Sequence, residues 1–108
     1  MEELASRKCE ACEGGVPPLT GEQAAQLHSQ IDPAWELDDD ELERTFKFSN
    51  FRDPFALATR IALLAEEQGH HPDLEISWGK LEVSLKTHSI GGLSDNDFIM
   101  AAKIDEMT

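Results

Sequence analysis

The chain has 108 residues, 40% of them hydrophobic, and a formal net charge of −13. This size fits one small domain with a single core, and the hydrophobic content is too high for a chain that is disordered by composition. The negative charge argues against a surface for nucleic acid or anionic membrane, and no apolar run is long enough to predict a transmembrane helix. No secretory signal is visible in the first residues, so a cytoplasmic protein is expected.

Residues 1–18 contain two glycines, the pair Pro17–Pro18 and the motif "CEAC". They are predicted to form a flexible arm ahead of a domain that spans residues 19–108. A structural zinc site usually needs two such cysteine pairs, and a redox CxxC normally follows a strand and opens a helix. Cys9 and Cys12 meet neither condition, which favours a reduced arm and leaves metal or redox use as the alternative.

The first helix and the first hairpin follow the arm. Thr20 and Gln23 have the spacing of a capping box at a helix start, and Pro33 is expected to end that helix. The stretch "WELDDDELERTFKF" then alternates apolar and polar residues on both sides of the acidic turn Asp38–Asp40. Alternation of this kind predicts a β-hairpin with one buried face.

The helical period returns in "DPFALATRIALLAEEQGH", with Asp53 as the expected cap and Gly69 as the expected stop. Its apolar stripe is predicted to comprise Phe55, Ala58, Ile61, Ala62 and Ala65. A second hairpin alternates through Leu74, Ile76 and Trp78 and then through Leu81, Val83 and Leu85, and Ser94 opens a last helix. The order α-β-β-α-β-β-α predicts an α+β fold in which helices pack on one face of an antiparallel sheet.

Two adjacent histidines, His70 and His71, stand where the second helix ends. Neighbouring side chains diverge in either a helix or a strand, so a metal ion shared by this pair is not favoured. Glu66 lies four residues before His70, and on a continuing helix its carboxylate would orient that imidazole. The alternative is an exposed ion pair at a helix end.

His88 ends the fourth predicted strand and should face away from the core, because Leu81, Val83, Leu85 and Thr87 alternate toward it. Asp97 is three residues after Ser94, which is also the spacing of a capping box. Imidazoles at the ends of two elements, with carboxylates near both, are what a proton-transfer enzyme needs near neutral pH. The sequence contains no Gly-rich phosphate loop, nucleotide fingerprint or convincing Ser–His–Asp arrangement.

These residues resemble the pterin-4a-carbinolamine dehydratase family. The resemblance rests on one spaced set, Glu66, His70-His71-Pro72, Trp78, His88 and Asp97. The segment "THSIGGLSDNDF" extends it, and the arm "CEACEGGVPPL" looks like that of bacterial members, so the resemblance covers nearly the whole chain.

The resemblance implies a hydro-lyase, 4a-hydroxytetrahydrobiopterin dehydratase, which converts a 4a-hydroxytetrahydropterin to quinonoid dihydropterin and water. It implies a four-stranded antiparallel sheet, a homodimer or homotetramer, no metal or organic cofactor, and a substrate supplied by an aromatic amino-acid hydroxylase such as phenylalanine hydroxylase. His70 and His88 would be the acid–base pair, and His71 would position the pterin. The implied substrate-binding residues are Glu66, Pro72, Asp73, Trp78 and Asp97.

Leu74 departs from the family, because many animal members have an aromatic residue two positions after the proline. This departure concerns the shape of the pocket and the preferred pterin side chain. Two other functions stay open at this point: a non-catalytic partner that stabilises a hydroxylase or regulator, and a related enzyme for another pterin such as a molybdenum-cofactor precursor.

Overall fold

A computed structural model describes residues 3–10, 17–38 and 40–108. These residues contain three α-helices and four strands in the predicted order: α1 (Gly21–His28), β1 (Glu36–Asp38), β2 (Glu41–Lys47), α2 (Arg52–Gln68), β3 (Asp73–Ser77), β4 (Lys80–Leu85) and α3 (Asp95–Glu106). Short 3₁₀ turns, Leu4–Ser6 and His88–Ile90, precede α1 and α3. Among the described residues, no helix is both long and apolar enough to span a bilayer.

The four strands form one antiparallel sheet in the order β1-β2-β4-β3. The register places Leu42 opposite Leu85 and Phe46 opposite Leu81. Because side chains alternate along a strand, the apolar residues of β2 and β4 share one face, and they join residues of α2 and α3 in a single core. The predicted α+β architecture, with helices on one face of the sheet, is confirmed.

The opposite face of the sheet carries closely spaced acidic side chains. Glu36 lies directly across from Glu43 in the β1–β2 register. The negative charge of Glu41 raises the pKa of the Glu43 carboxyl, with smaller contributions from burial, a hydrogen bond with Glu41, and the charges of Asp38 and Glu36. The folded protein therefore favours the protonated form of Glu43. The stability that this protonated carboxyl contributes is lost as the pH rises through the raised pKa.

We expect Glu43→Gln to raise the melting temperature at pH 7, because the amide removes this repulsion. The gain should shrink as the pH falls below the usual range of glutamate, where the wild-type carboxyl is already protonated. Thermal unfolding at several pH values measures both effects. Glu22→Gln on α1 removes an exposed charge without a facing strand, and an equal gain in that variant would contradict the explanation.

The buried side of α2 differs from the predicted stripe. The structure buries Pro54, Leu57, Ala58, Ile61 and Ala65. Phe55 is 53% exposed and Ala62 is also exposed, so both predictions were wrong. The helix carries apolar residues on more than one side, and periodicity does not identify which side meets the sheet. The cap was also misplaced, since Asn50 Oδ1 accepts from the Asp53 N–H at 2.8 Å and Phe51 is the N-cap.

The described part of the N-terminal arm packs on the domain. Leu4 is buried in the core, and Lys103 Nζ of α3 donates to the Ala5 carbonyl at 2.8 Å. The sequence had predicted no core residue here, because a single leucine among polar residues has no periodicity. Cys12 lies outside the described residues, and flexibility of the arm in solution stays a prediction.

Candidate active site

His70 is placed by the end of α2. Gly69 adopts φ +67°, a left-handed conformation that glycine reaches without the strain of a Cβ. The Gly69 and His70 N–H groups both donate to the Ala65 carbonyl, at 2.8 and 3.3 Å. His70 therefore leaves the helix, and its side chain, only 11% exposed, turns toward the N-terminus of α3.

Asp97 is fully buried and accepts hydrogen bonds from three elements of the site. Its Oδ1 lies 2.6 Å from His70 Nε2, and its Oδ2 accepts from Thr87 Oγ1 at 2.7 Å and from the Ser94 N–H at 2.9 Å. The last contact belongs to the capping box of α3. Asp97 thus forms the predicted capping box and also contacts the imidazole of His70, so one carboxylate serves the helix and the site.

The contact with Asp97 determines which ring nitrogen of His70 carries a hydrogen. An ionised carboxylate only accepts hydrogen bonds, so Nε2 of His70 carries the hydrogen that points to Asp97. Nδ1 is then the ring nitrogen that can take up or release a proton. Thr87 donates to Asp97, so the Ser94 hydroxyl, 2.7 Å away, is the donor to Thr87. The hydroxyls of Ser94 and Thr87 and the carboxylate of Asp97 form one hydrogen-bonded chain that ends at the imidazole of His70.

His71 has the partner that the sequence analysis assigned to His70. Glu66 Oε2 lies 3.4 Å from His71 Nε2, with both side chains more than half exposed. The predicted pairing of Glu66 with His70 was wrong, because the turn at Gly69 ends the helix before the i, i+4 geometry reaches His70. Exposed pairs of this kind contribute little to stability.

His88 is presented by a closed loop between β4 and α3. The Thr87 N–H donates to the Gly92 carbonyl at 2.9 Å, and Gly91 at φ +67° ends the 3₁₀ turn. Thr87 is buried with its hydroxyl on Asp97, and the next side chain, His88, is exposed as predicted. Asp97 therefore contacts His70 directly, and it also holds Thr87, the residue that precedes His88.

His70, His71 and His88 line one cleft of about 350 Å³. Asp97 contacts His70 but does not itself line the cleft. Glu66, Pro72 and Asp73 are not among the lining residues either. Trp78, which the sequence analysis placed in the third strand, lies one residue beyond it at the turn between β3 and β4 and is 71% exposed. The sequence analysis did not identify the other lining residues: Glu10, Gly69, Lys86, Thr87, Ser89 and Asn96.

The sequence contained a weak signal for one of these missed residues. Thr87 precedes His88 and continues the inward alternation of β4, which indicated a buried hydroxyl near the site. Glu10 gave no signal, because its position in the cleft depends on contacts with residues more than eighty positions away. Among the described residues, no group of three or more histidine, cysteine or acidic side chains could hold a metal ion.

Residues 17–107 match the family model "Pterin 4 alpha carbinolamine dehydratase". A protein of Rubrobacter xylanophilus is 47% identical over 108 residues, which cover 99% of this chain and 100% of the relative. A protein of Methylococcus capsulatus is 48% identical over 106 residues, covering 96% and 92%. Both carry the name "Putative pterin-4-alpha-carbinolamine dehydratase". The chain therefore belongs to the pterin-4-alpha-carbinolamine dehydratase family.

Two solved structures share the fold. The Brucella melitensis "transcriptional coactivator/pterin dehydratase" superposes with a TM-score of 0.76 at 30% identity, covering 83% of this chain and 97% of that one. A "pterin dehydratase-like protein" described as a RuBisCO assembly factor of the α-carboxysome has a TM-score of 0.55 at 20% identity, covering 68% and 84%. The second similarity concerns the fold alone.

Proposed function

We propose that this protein dehydrates 4a-hydroxytetrahydropterins to quinonoid dihydropterins, with His70 and His88 as the acid–base pair and His71 as a positioning group. The observation that carries this proposal is that these three histidines line one cleft and that a buried carboxylate holds one of them, His70. Membership in the dehydratase family supports the same reaction.

The reaction needs two proton transfers and no electron transfer. One imidazole delivers a proton to the hydroxyl on C4a, and the C4a–O bond breaks to release water. The other imidazole removes the proton from N5, and the N5 electron pair forms the C4a=N5 double bond. Histidine suits both steps, because its ordinary pKa lies near the operating pH. The Asp97 contact keeps one ring nitrogen of His70 ready for such a transfer.

A coupled assay tests this function. Phenylalanine hydroxylase generates the 4a-carbinolamine in situ, and the formation of quinonoid dihydropterin is followed with and without this protein. We expect acceleration over the spontaneous dehydration. Well-folded protein that gives no acceleration would contradict the proposal, and turnover on another pterin in place of this one would identify the related-enzyme alternative. A stoichiometric co-purifying partner without dehydration would identify the non-catalytic alternative.

The proposed physiological partner is the hydroxylase that supplies the carbinolamine, with phenylalanine hydroxylase as the first candidate. The cytoplasmic location stays a prediction, as do the substrate-binding roles of Glu66, Pro72, Asp73, Trp78 and Asp97. Supply by a hydroxylase explains why a separate enzyme is useful, since the pterin must lose water before it can be reduced again.

We also propose that the chain forms a homodimer or homotetramer. Phe55 and Leu63 of α2 are 53% and 66% exposed, and Ile76 is 38% exposed on β3, an edge strand of the sheet. Exposed apolar groups beside an open strand edge are typical of surfaces that associate. A second copy of the chain is the occupant that the family resemblance implies.

We expect a Phe55→Ser/Leu63→Ser double variant to sediment as a smaller species than the wild type, because these side chains would no longer be buried between subunits. Analytical ultracentrifugation measures this change. Glu67→Ser on the same helix is the matched control and should keep the wild-type mass. Equal sedimentation of all three proteins would contradict an interface through α2.

A further inference from the structure

Thr87 is a buried residue of the cleft wall, at 3% exposure, and its polar groups have partners inside the protein. Its N–H donates to the Gly92 carbonyl at 2.9 Å, and its own carbonyl accepts from the Ile90 and Gly92 N–H groups at 3.2 and 3.4 Å. Its hydroxyl donates to Asp97 Oδ2 and accepts from the Ser94 hydroxyl, both at 2.7 Å. These contacts hold Thr87 in the fold, so its hydroxyl serves Asp97 and not a ligand.

The Thr87 hydroxyl fixes the orientation of the Asp97 carboxylate. The two oxygens of this fully buried group have different partners. Oδ2 accepts from the Thr87 hydroxyl and the Ser94 N–H, whereas Oδ1 lies 2.6 Å from His70 Nε2. A rotation that turned Oδ1 away from His70 would have to break both contacts of Oδ2. Without the hydroxyl, the Ser94 N–H alone would oppose that rotation.

The orientation of this carboxylate matters because it determines where the imidazole of His70 points. The Nε2 hydrogen is directed at Oδ1, so a turned carboxylate releases the ring or favours its other tautomer. A general acid or base must be held within about 0.5 Å of its productive position. A displacement of about 1 Å can lower the rate by about 10²-fold.

We propose, on the basis of the dehydratase function above, that Thr87 is a positioning residue for His70 and acts through Asp97. The Thr87 hydroxyl holds the carboxylate, and the carboxylate holds the hydrogen on Nε2 of His70. Nδ1 is thereby kept free of hydrogen and turned to the reacting pterin. This role requires the hydroxyl itself, and a side chain that only filled the same space in the wall would not supply it.

Thr87→Val removes the hydroxyl and keeps the branched shape of the side chain. We expect kcat in the coupled assay to fall by about 10- to 100-fold with KM within about twofold, because a misplaced imidazole slows the chemical step and not binding. Thr87→Ser restores the donor and should keep kcat within about threefold of the wild type. Thr45→Val makes the same substitution at an exposed position of β2 and should change neither constant.

A double-variant comparison separates positioning of His70 from a general structural role. His70→Gln lacks the ring that exchanges a proton, so adding Thr87→Val to it should lower kcat by less than about twofold further. A loss in this background as large as in the wild-type background would show that the hydroxyl acts elsewhere in the fold, and it would overturn the proposal.

Nitrogen-15 NMR of the imidazole rings measures the tautomer without any turnover. At alkaline pH, where imidazoles are neutral, His70 of the wild type should carry its hydrogen on Nε2. Thr87→Val should add a population with the hydrogen on Nδ1, and Thr87→Ser should not. The wild-type tautomer together with wild-type kcat in Thr87→Val would overturn the positioning role.

Thr87→Cys decides the proposal if Thr87→Val does not fold. Cysteine and serine differ here in the strength of the donor, because a thiol is a weak one. We expect a lower kcat in Thr87→Cys than in Thr87→Ser. Equal kcat in these two variants, in a protein whose wild type dehydrates the carbinolamine, would overturn the positioning role alone. A folded wild-type protein without turnover would overturn the dehydratase function itself.

Discussion

His88→Ala and His70→Gln should each lower kcat in the coupled assay by about 10²- to 10⁴-fold, the usual contribution of one general acid or base. His88 is exposed, so its removal should leave the free energy of unfolding nearly unchanged. Glutamine at position 70 can still donate to Asp97 but cannot exchange a proton with the substrate. The loss therefore reports chemistry and not a damaged fold. Steady-state kinetics and thermal unfolding, measured on the same preparations, separate the two.

The fourth histidine of the chain provides a matched control. His28 lies on α1, and its Nε2 is 2.6 Å from the Trp35 carbonyl, outside the cleft lining. His28→Gln should therefore leave kcat at the wild-type value, with at most some loss of thermal stability. Full activity in both His88→Ala and His70→Gln would refute the proposed acid–base pair. Equal losses in all three variants would show that the assay reports folding.

Asp97→Asn should lower both kcat and stability, because Asp97 links the fold to the site. The amide oxygen can still accept from the Ser94 N–H, but the NH₂ group then faces His70. That NH₂ donates to Nε2 of His70, so Nε2 becomes an acceptor and loses its hydrogen. The resulting tautomer places a hydrogen on Nδ1, and we expect kcat to fall by about 10- to 10³-fold. Disruption of the buried contacts should cost about 3 kcal/mol of unfolding free energy.

The neighbouring Asp95→Asn is the control for this prediction. Asp95 lies on the same helical turn, and its partially exposed carboxylate pairs with Arg7 at 3.2 Å, so its loss should change stability by less than about 1 kcal/mol and leave kcat unchanged. Urea unfolding and kinetics measure both variants. Wild-type kcat in a folded Asp97→Asn protein would show that the carboxylate serves only the helix cap.

Local patterns predicted most of the elements correctly. The capping boxes at Thr20–Gln23 and Ser94–Asp97 are both formed, and Gly69 ends α2 in the left-handed conformation. These features involve residues three or four positions apart, so propensity and local hydrogen bonding decide them. The hairpins could also be predicted from the sequence, because alternation over a few residues identifies the buried face of each central strand.

The wrong predictions share a different physical origin. Phe55 lies in an apolar helical pattern, but it is 53% exposed because α2 buries the side that carries Leu57, Ala58 and Ile61. Glu66 was assigned to His70 on the assumption of a continuing helix, and it contacts His71 instead. In each case a neighbour in space, or the end of an element, decided the contact, and sequence spacing does not contain that information.

The sequence by itself determined the order of elements, the antiparallel hairpins and the set of histidines and acids that indicate proton transfer and resemble the dehydratase family. These follow from short-range periodicity and from residue chemistry. Only the tertiary structure decided which of these groups meet: Asp97 contacts His70 across 27 positions, and Asn96 holds Glu10 across 86. Such contacts form when the core brings α3 against the end of α2 and the arm, and many side chains across the chain contribute to that packing.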